Sequence, residues 1–219
     1  MSIKENLLEI KSELPKNVTL VAVSKTKPIS DLMEAYDADQ RIFGENKIQE
    51  MTEKWESMPK DIHWHMIGHI QTNKVKFMVP YVSLIHGVDS MKLLEEINKQ
   101  ALKNNRIIDC LLQMHIAEEE TKFGLNEEEL NNLLNSDSFK TMSNVRIVGL
   151  MGMATFTNNQ SQIKKEFLLL KSIFDSKKAI SIVNCQLSIL SMGMSGDYKL
   201  AIECGSSMVR IGSSIFGGR

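Results

Sequence analysis

Cysteine is scarce. Cys110, Cys185 and Cys204 are the only three, they lie far apart, and none sits in a C-x-x-C spacing, so neither a disulfide framework nor a cysteine-rich metal site is encoded. Long apolar runs are missing too: nothing approaches the ~18 residues of a membrane span, and Ser2-Ile3-Lys4-Glu5-Asn6 places charges where a secretion signal needs an apolar core. The expectation is a cytoplasmic protein without membrane attachment. Charge of one sign is absent as well. The net charge is -1, with acidic and basic residues interspersed, so no basic footprint for nucleic acid exists. With only 4 prolines, no Gly/Ser-rich tract and no repeat at a fixed period, no internal boundary or linker is visible.

What remains is a chain of 219 residues with 42% hydrophobic and 24% charged residues, enough for a sizeable core and for one domain over 1–219. The 14 methionines are read as core fillers. Ile3, Leu7, Ile10 and Leu14 share one helical stripe, which predicts an opening helix that covers the bottom of a barrel. Short apolar runs of strand length then recur at Thr19–Val23, Arg41–Phe43, Ile62–Ile67, Leu84–Val88, Ile107–Ile116, Val145–Met151, Gln186–Leu190 and Met208–Ile211. Helical patterns separate them, clearest in Leu94, Ile97 and Ala101, and in Ile163, Phe167, Leu170 and Phe174. Eight βα units predict an α/β fold: one (β/α)8 TIM barrel with an extra N-terminal helix, tight for this length.

In such a barrel the chemistry sits where strands exit at their C-terminal ends. The first strand exits through Ser24-Lys25-Thr26-Lys27-Pro28. A lysine at the mouth of an apolar strand loses hydration, which lowers its pKa and yields an amine able to form an imine with an aldehyde; the alternative is a solvated turn residue. His63 and His65 share a strand face, yet no third metal ligand stands out, so packed and hydrogen-bonded histidines are expected. Gln71, Asn73 and Lys74 either reach a ligand or cap and solvate a helix. Asp89 is read as the N-cap of the helix carrying Leu94. The charged loop Ala117–Gly124 is assigned no chemistry.

The last two exits carry the most specific pattern. Loops after strands seven and eight of a barrel commonly hold phosphate, and Ser191, Gly212 and Ser213 are the residue types such a cradle needs. Asp197 would repel a phosphate, so it is expected to cap a helix and point away. Arg210 lies one pleat below Gly212 and on the same side, where it either meets a ring held by its phosphate or forms a salt bridge at the barrel end. An imine-forming lysine, a phosphate cradle and an arginine set to face a pyridine nitrogen together make a site for pyridoxal 5'-phosphate (PLP).

Ala22-Val23-Ser24-Lys25-Thr26-Lys27-Pro28, Phe43-Gly44-Glu45-Asn46, Trp64-His65-Met66-Ile67-Gly68, Gln71-Thr72-Asn73-Lys74, Ser191-Met192-Gly193-Met194-Ser195 and the stretch from Gly205 to Ser213 resemble the YggS/PROSC family of pyridoxal phosphate homeostasis proteins. That family shares the barrel of the alanine racemase N-terminal domain. The resemblance implies that Lys25 holds PLP as a Schiff base, that Arg210 faces the pyridine nitrogen, and that Ser191, Gly212 and Ser213 hold the phosphate. It further implies that Asn46, Met192 and Met194 line the pocket, and that the protein balances PLP and amino-acid pools without robust turnover. Apo-forms of PLP-dependent enzymes are the implied partners, and a monomer is expected.

Two points separate a carrier from an enzyme. An arginine at the ring nitrogen stays protonated, which makes the ring a weak electron sink. A racemase also needs a second base, and Tyr36, Tyr81 and Tyr198 fall away from the strand exits, while the sequence ends at Arg219 just past the eighth strand. A low-activity racemase or lyase is the alternative, and an aldolase-type Schiff-base enzyme without PLP a third reading. A surface lysine near the pocket, Lys27, Lys74 or Lys122, is a candidate to take the aldehyde from Lys25 during release.

Overall fold

The computed structural model describes residues 2–119, 123–178 and 182–218. Eight parallel strands close into a barrel in chain order: β1 (Thr19–Val23), β2 (Ile42–Glu45), β3 (His63–Met66), β4 (Leu84–Val88), β5 (Ile108–Met114), β6 (Val145–Gly152), β7 (Cys185–Ser191) and β8 (Met208–Ile211). The barrel closes where Leu20 pairs with Val209 and Val21 with Arg210. Strands β1, β4 and β8 have the bounds the apolar runs predict. β2 runs two residues further than expected, to Glu45, and β5 ends at Met114 rather than Ile116.

The outer layer comprises α1 (Ile3–Glu13), α2 (Ile29–Asp37), α3 (Ile48–Ser57), α4 (Val75–Met78), α5 (Met91–Lys103), α6 (Glu127–Asn135), α7 (Asp137–Thr141), α8 (Gln160–Lys177), α9 (Tyr198–Glu203) and α10 (Ser213–Phe216). The predicted stripes face inward: Leu94, Ile97 and Ala101 on α5, and Ile163, Phe167, Leu170 and Phe174 on α8, are all buried. The barrel fits this short chain because α4, α9 and α10 are only 4, 6 and 4 residues long.

One expectation about α1 is corrected. The helix starts with a Ser2/Glu5 capping box and buries Leu7 and Ile10 as its pattern predicts, but it does not cover the barrel bottom. It packs on the flank against α2 and α10. There Lys4 N–H donates to Glu34, Asn6 Nδ2 to the Ile215 carbonyl and Tyr198 Oη to Glu13. With only a four-residue helix after β8, α1 takes the place in the outer ring that an eighth long helix would fill.

Strand alternation sorts the core into two parts. Leu20 and Ala22 of β1 face the helices with the large outer cluster, while Val21 points into the barrel with Leu84, Leu111, Val148, Met151 and Met208. One pleat above this apolar layer the inward positions turn polar. Leu84 is followed by His86 and Met208 by Arg210, both buried. The change from apolar to polar layer marks the floor of the site.

Candidate functional site

A cavity of about 630 Å³ opens at the C-terminal ends of the strands. Lys25, Asn46, Met194, Arg210, Gly212 and Ser213 all line it, brought from the exits of β1, β2, β7 and β8. Ser191 and Met192 do not. Both are fully buried. Ser191 ends β7 in register with Met208, deep in the barrel, and Met192 packs into the outer core. The predicted cradle serine therefore sits beneath the floor, and its hydroxyl serves Arg210 instead.

The Arg210 guanidinium is the centre of that floor. It donates from Nη1 to the Ser191 carbonyl (3.0 Å) and hydroxyl (2.6 Å), and from Nη2 to the Gly152 carbonyl (3.2 Å). Burial lowers its pKa to about 10, an effect opposed by the negative charge of Asp197, so it stays protonated at neutral pH. The acceptors of these bonds are uncharged oxygens, not the carboxylate of a barrel-end salt bridge.

Below it the polar chain continues. Ser191 Oγ lies 3.3 Å from His86 Nδ1, and His86 Nε2 lies 3.1 Å from His65 Nδ1. Because Ser191 Oγ accepts from Arg210, its own hydrogen is available to His86 Nδ1, which leaves His86 Nε2–H to donate to His65. His63, by contrast, is exposed, so the two strand histidines form no pair, and no group of three possible metal ligands occurs among the described residues.

Burial pushes the His65 pKa down to about 3 and that of His86 well below its ordinary value. In the unfolded chain both titrate near 6.5. As pH falls below that value the unfolded chain takes up protons that the folded one refuses. Stability is therefore expected to fall by up to ~1.4 kcal/mol per pH unit per histidine, and to be unaffected by these groups above pH ~7. Denaturant titrations from pH 7.5 down to 5 check this, with His86→Gln expected to reduce the slope.

At the β8 exit, where Ser195, Gly212 and Ser213 line the cavity, two backbone N–H groups share one acceptor. Gly212 N–H and Ser214 N–H converge on one acceptor, Ser195 Oγ, at 3.3 and 3.5 Å. A Cβ on Gly212 would stand 3.0 Å from the Val23 carbonyl and 3.2 Å from Val23 Cβ, so glycine lets β8 and β1 approach there. Nothing in the residue pattern singles out Ser195, four residues after Ser191; Ser191 ends β7, whereas Ser195 lies in the turn past the positive-φ Gly193. Asp197 is also corrected. It occupies the N-cap position of α9 without a side-chain capping bond, accepts instead from Met194 N–H at 2.6 Å, and lines the cavity.

The rim holds one more group that sequence pattern does not single out. His69 lines the cavity, places Nδ1 3.3 Å from Asp89 Oδ2 and stacks on Phe123 at 3.9 Å. Asp89 is thus engaged by a histidine, and the N-cap of α5 is Ser90, whose hydroxyl accepts from Leu93 N–H. Gln71 and Lys74 line a second cavity of about 540 Å³ that shares Asn46 and His69 with the first. Lys27 donates to the Phe216 and Gly218 carbonyls at 3.0 Å each, and Lys122 lies outside the described residues. Among the described residues no tyrosine lines the main cavity.

The family model for the alanine racemase N-terminal domain matches residues 1–219. A pyridoxal phosphate homeostasis protein from Aquifex aeolicus is 38% identical over 201 residues, which cover 91% of this chain and 86% of the relative. This chain is a member of the pyridoxal phosphate homeostasis protein family. The solved structure of PipY from Synechococcus elongatus with PLP bound resembles this family member with a TM-score of 0.89 at 32% identity, covering 99% of this chain and all of the other. Alanine racemase from E. faecalis has a TM-score of 0.75 at 14% identity over 58% of that enzyme, a likeness of fold alone. In this pyridoxal phosphate homeostasis family member the cavity brings together an amine (Lys25), a guanidinium in its floor (Arg210), the Gly212 N–H and the Ser195 and Ser213 hydroxyls, groups whose chemistry fits a phosphorylated aldehyde.

Proposed function

We propose that residues 1–219 form one PLP-binding domain that carries and buffers the cofactor, with Lys25 as its covalent anchor. The observation that carries this reading is the convergence of Lys25, Arg210, Ser195, Gly212 and Ser213 on one cavity, with the Gly212 N–H held at Ser195 Oγ. PLP supplies there an aldehyde that an amine can capture and a ring that withdraws electrons. Gly212, Ser213, Ser214 and Ser195 hold the phosphate end, with Asn46 and Met194 along the walls. Arg210 is held by Ser191 and Gly152, and as a protonated guanidinium it offers hydrogens and no acceptor, so it faces a ring nitrogen without protonating it.

The same features favour carriage over fast turnover. An arginine partner leaves the ring a weak electron sink, and no tyrosine lines the cavity as a second base among the described residues. The partners are then apo-forms of PLP-dependent enzymes that accept the cofactor.

The test is an absorbance spectrum of the purified protein after PLP is supplied, followed by amino acids in D2O and by an apoenzyme. The expected outcome is a visible band, negligible exchange of amino-acid α-protons, and reactivation of the apoenzyme. Rapid α-proton exchange would move the racemase reading to first place. Absence of the band would overturn PLP binding and favour an aldolase-type use of Lys25.

A further inference from the structure

The turn that carries Lys25 is held from below by charges that do not touch the cavity. Lys54 of α3 is 5% exposed, and Glu45 at the end of β2 is fully buried. Lys54 Nζ donates to Glu45 Oε1 (2.8 Å), Glu50 Oε1 (2.7 Å) and the Ser24 carbonyl (2.8 Å), which uses all three of its hydrogens. Ser24 Oγ donates to the same Glu45 oxygen at 2.6 Å, and Thr26 N–H to the same Glu50 oxygen at 2.6 Å. Ser24 and Thr26, the two neighbours of Lys25, thus both end in one charged cluster, buried at Lys54 and Glu45 and partly exposed at Glu50.

Two physical points indicate that this cluster does more than fill space. Thr26 has φ 63°, a conformation that a β-branched residue avoids and that persists only where the surroundings over-determine it. Burying the Lys54–Glu45 ion pair is also a poor route to stability, since desolvation offsets the attraction and an apolar core of the same volume often does as well. Glu45 shows the cost. Its Oε2 is buried without a hydrogen-bond partner, and burial raises its pKa against the opposing pull of Lys54. Strain and buried charge coincide at one turn, and that turn carries the anchor lysine.

We propose that Lys54 and Glu45, both buried, and the partly exposed Glu50 form a charged clamp that fixes the Ser24–Thr26 turn, which makes Lys54 and Glu50 positioning residues for Lys25. The inference rests on the reading of Lys25 as the PLP anchor. Glu50 connects the clamp to the turn through Thr26 N–H, and Lys54 connects it through the Ser24 carbonyl. Neither residue lines the cavity, so neither contacts the ligand.

The test compares Glu50→Ala with Glu50→Gln, which keeps an acceptor for Thr26 N–H, and adds the double variant Glu45→Gln/Lys54→Met, which removes both buried charges together. Amide hydrogen exchange of the 24–27 segment in the cofactor-free proteins reads the clamp. PLP affinity, with the visible band per bound cofactor, reads its consequence. Exchange about tenfold faster or more is expected in Glu50→Ala and in the double variant, as for loss of a hydrogen bond to a charged group, with PLP affinity weakened to a similar degree and both largely restored in Glu50→Gln. Unchanged exchange in Glu50→Ala and the double variant would overturn the clamp. Faster exchange with unchanged affinity and band would overturn the positioning role. If wild-type protein shows no band at all, the PLP reading fails, and the exchange data still decide whether the clamp exists.

Discussion

Lys25→Ala is expected to keep the barrel folded and to weaken PLP retention by at least about a hundredfold, ~2.7 kcal/mol. The residue sits half-buried in the turn after β1, outside both core clusters, so its truncation creates no core cavity. The stability of the cofactor-free variant should stay within about 1 kcal/mol of wild type. Gly212, Ser213 and Arg210 remain in place, so residual non-covalent binding is expected through the phosphate end. Equilibrium dialysis with PLP measures the loss, and borohydride reduction with peptide mass spectrometry locates any covalent label. Wild-type protein whose label falls on a lysine other than Lys25, or a Lys25→Ala variant that retains PLP with undiminished affinity, would refute Lys25 as the anchor.

Gly149→Ala is expected to have the largest effect on the fold. A Cβ there would lie 1.9 Å from the Ile189 carbonyl oxygen and 2.7 Å from its carbon, both backbone atoms of β7. The contact arises from an irregularity in the ladder: pairing passes from Ile147↔Cys185 to Gly149↔Ile189, so β7 advances further than β6 and bows toward it. No rotamer relieves a backbone clash. The strands must separate, and Val148 on one side and Leu150 on the other lose packing in the inner and outer cores. A destabilisation of ~3 kcal/mol or more is expected, at the upper end for overpacking, with a drop in Tm of about 6–12 °C. Calorimetry on the cofactor-free protein checks it, and a Tm within about 2 °C of wild type would show that β7 adjusts freely.

How far these residues are legible in sequence depends on the range of the forces involved. β1, β4 and β8 stand out because an inward and outward apolar alternation, or a continuous apolar run, is a local property. The ends of β2 are not, because Gly44-Glu45 joins the strand through pairing with neighbouring strands, Gly44 with Val23 and His65 and Glu45 with Met66. Asp89 and Ser90 illustrate the same limit. Either residue type caps a helix, and the choice falls to Ser90 because His69, from another strand exit, engages Asp89.

The sequence by itself determined the eight-unit barrel, the lysine at the first exit, the glycine and serine at the last, and the arginine one pleat below them. These are features of local periodicity and of fixed spacing along one strand. Only the tertiary structure decided which serine meets the cavity and which supports the arginine, because Ser191 closes β7 in the barrel while Ser195 lies beyond the positive-φ Gly193, in the turn that joins Met194 to Asp197. It also decided that Lys54, unremarkable on its helix, is buried beneath Lys25, since that placement comes from packing α3 over the ends of β1 and β2. Hydrogen bonds between distant segments depend on angles and distances of a few ångströms, which the order of residues along the chain does not specify until the strands have paired.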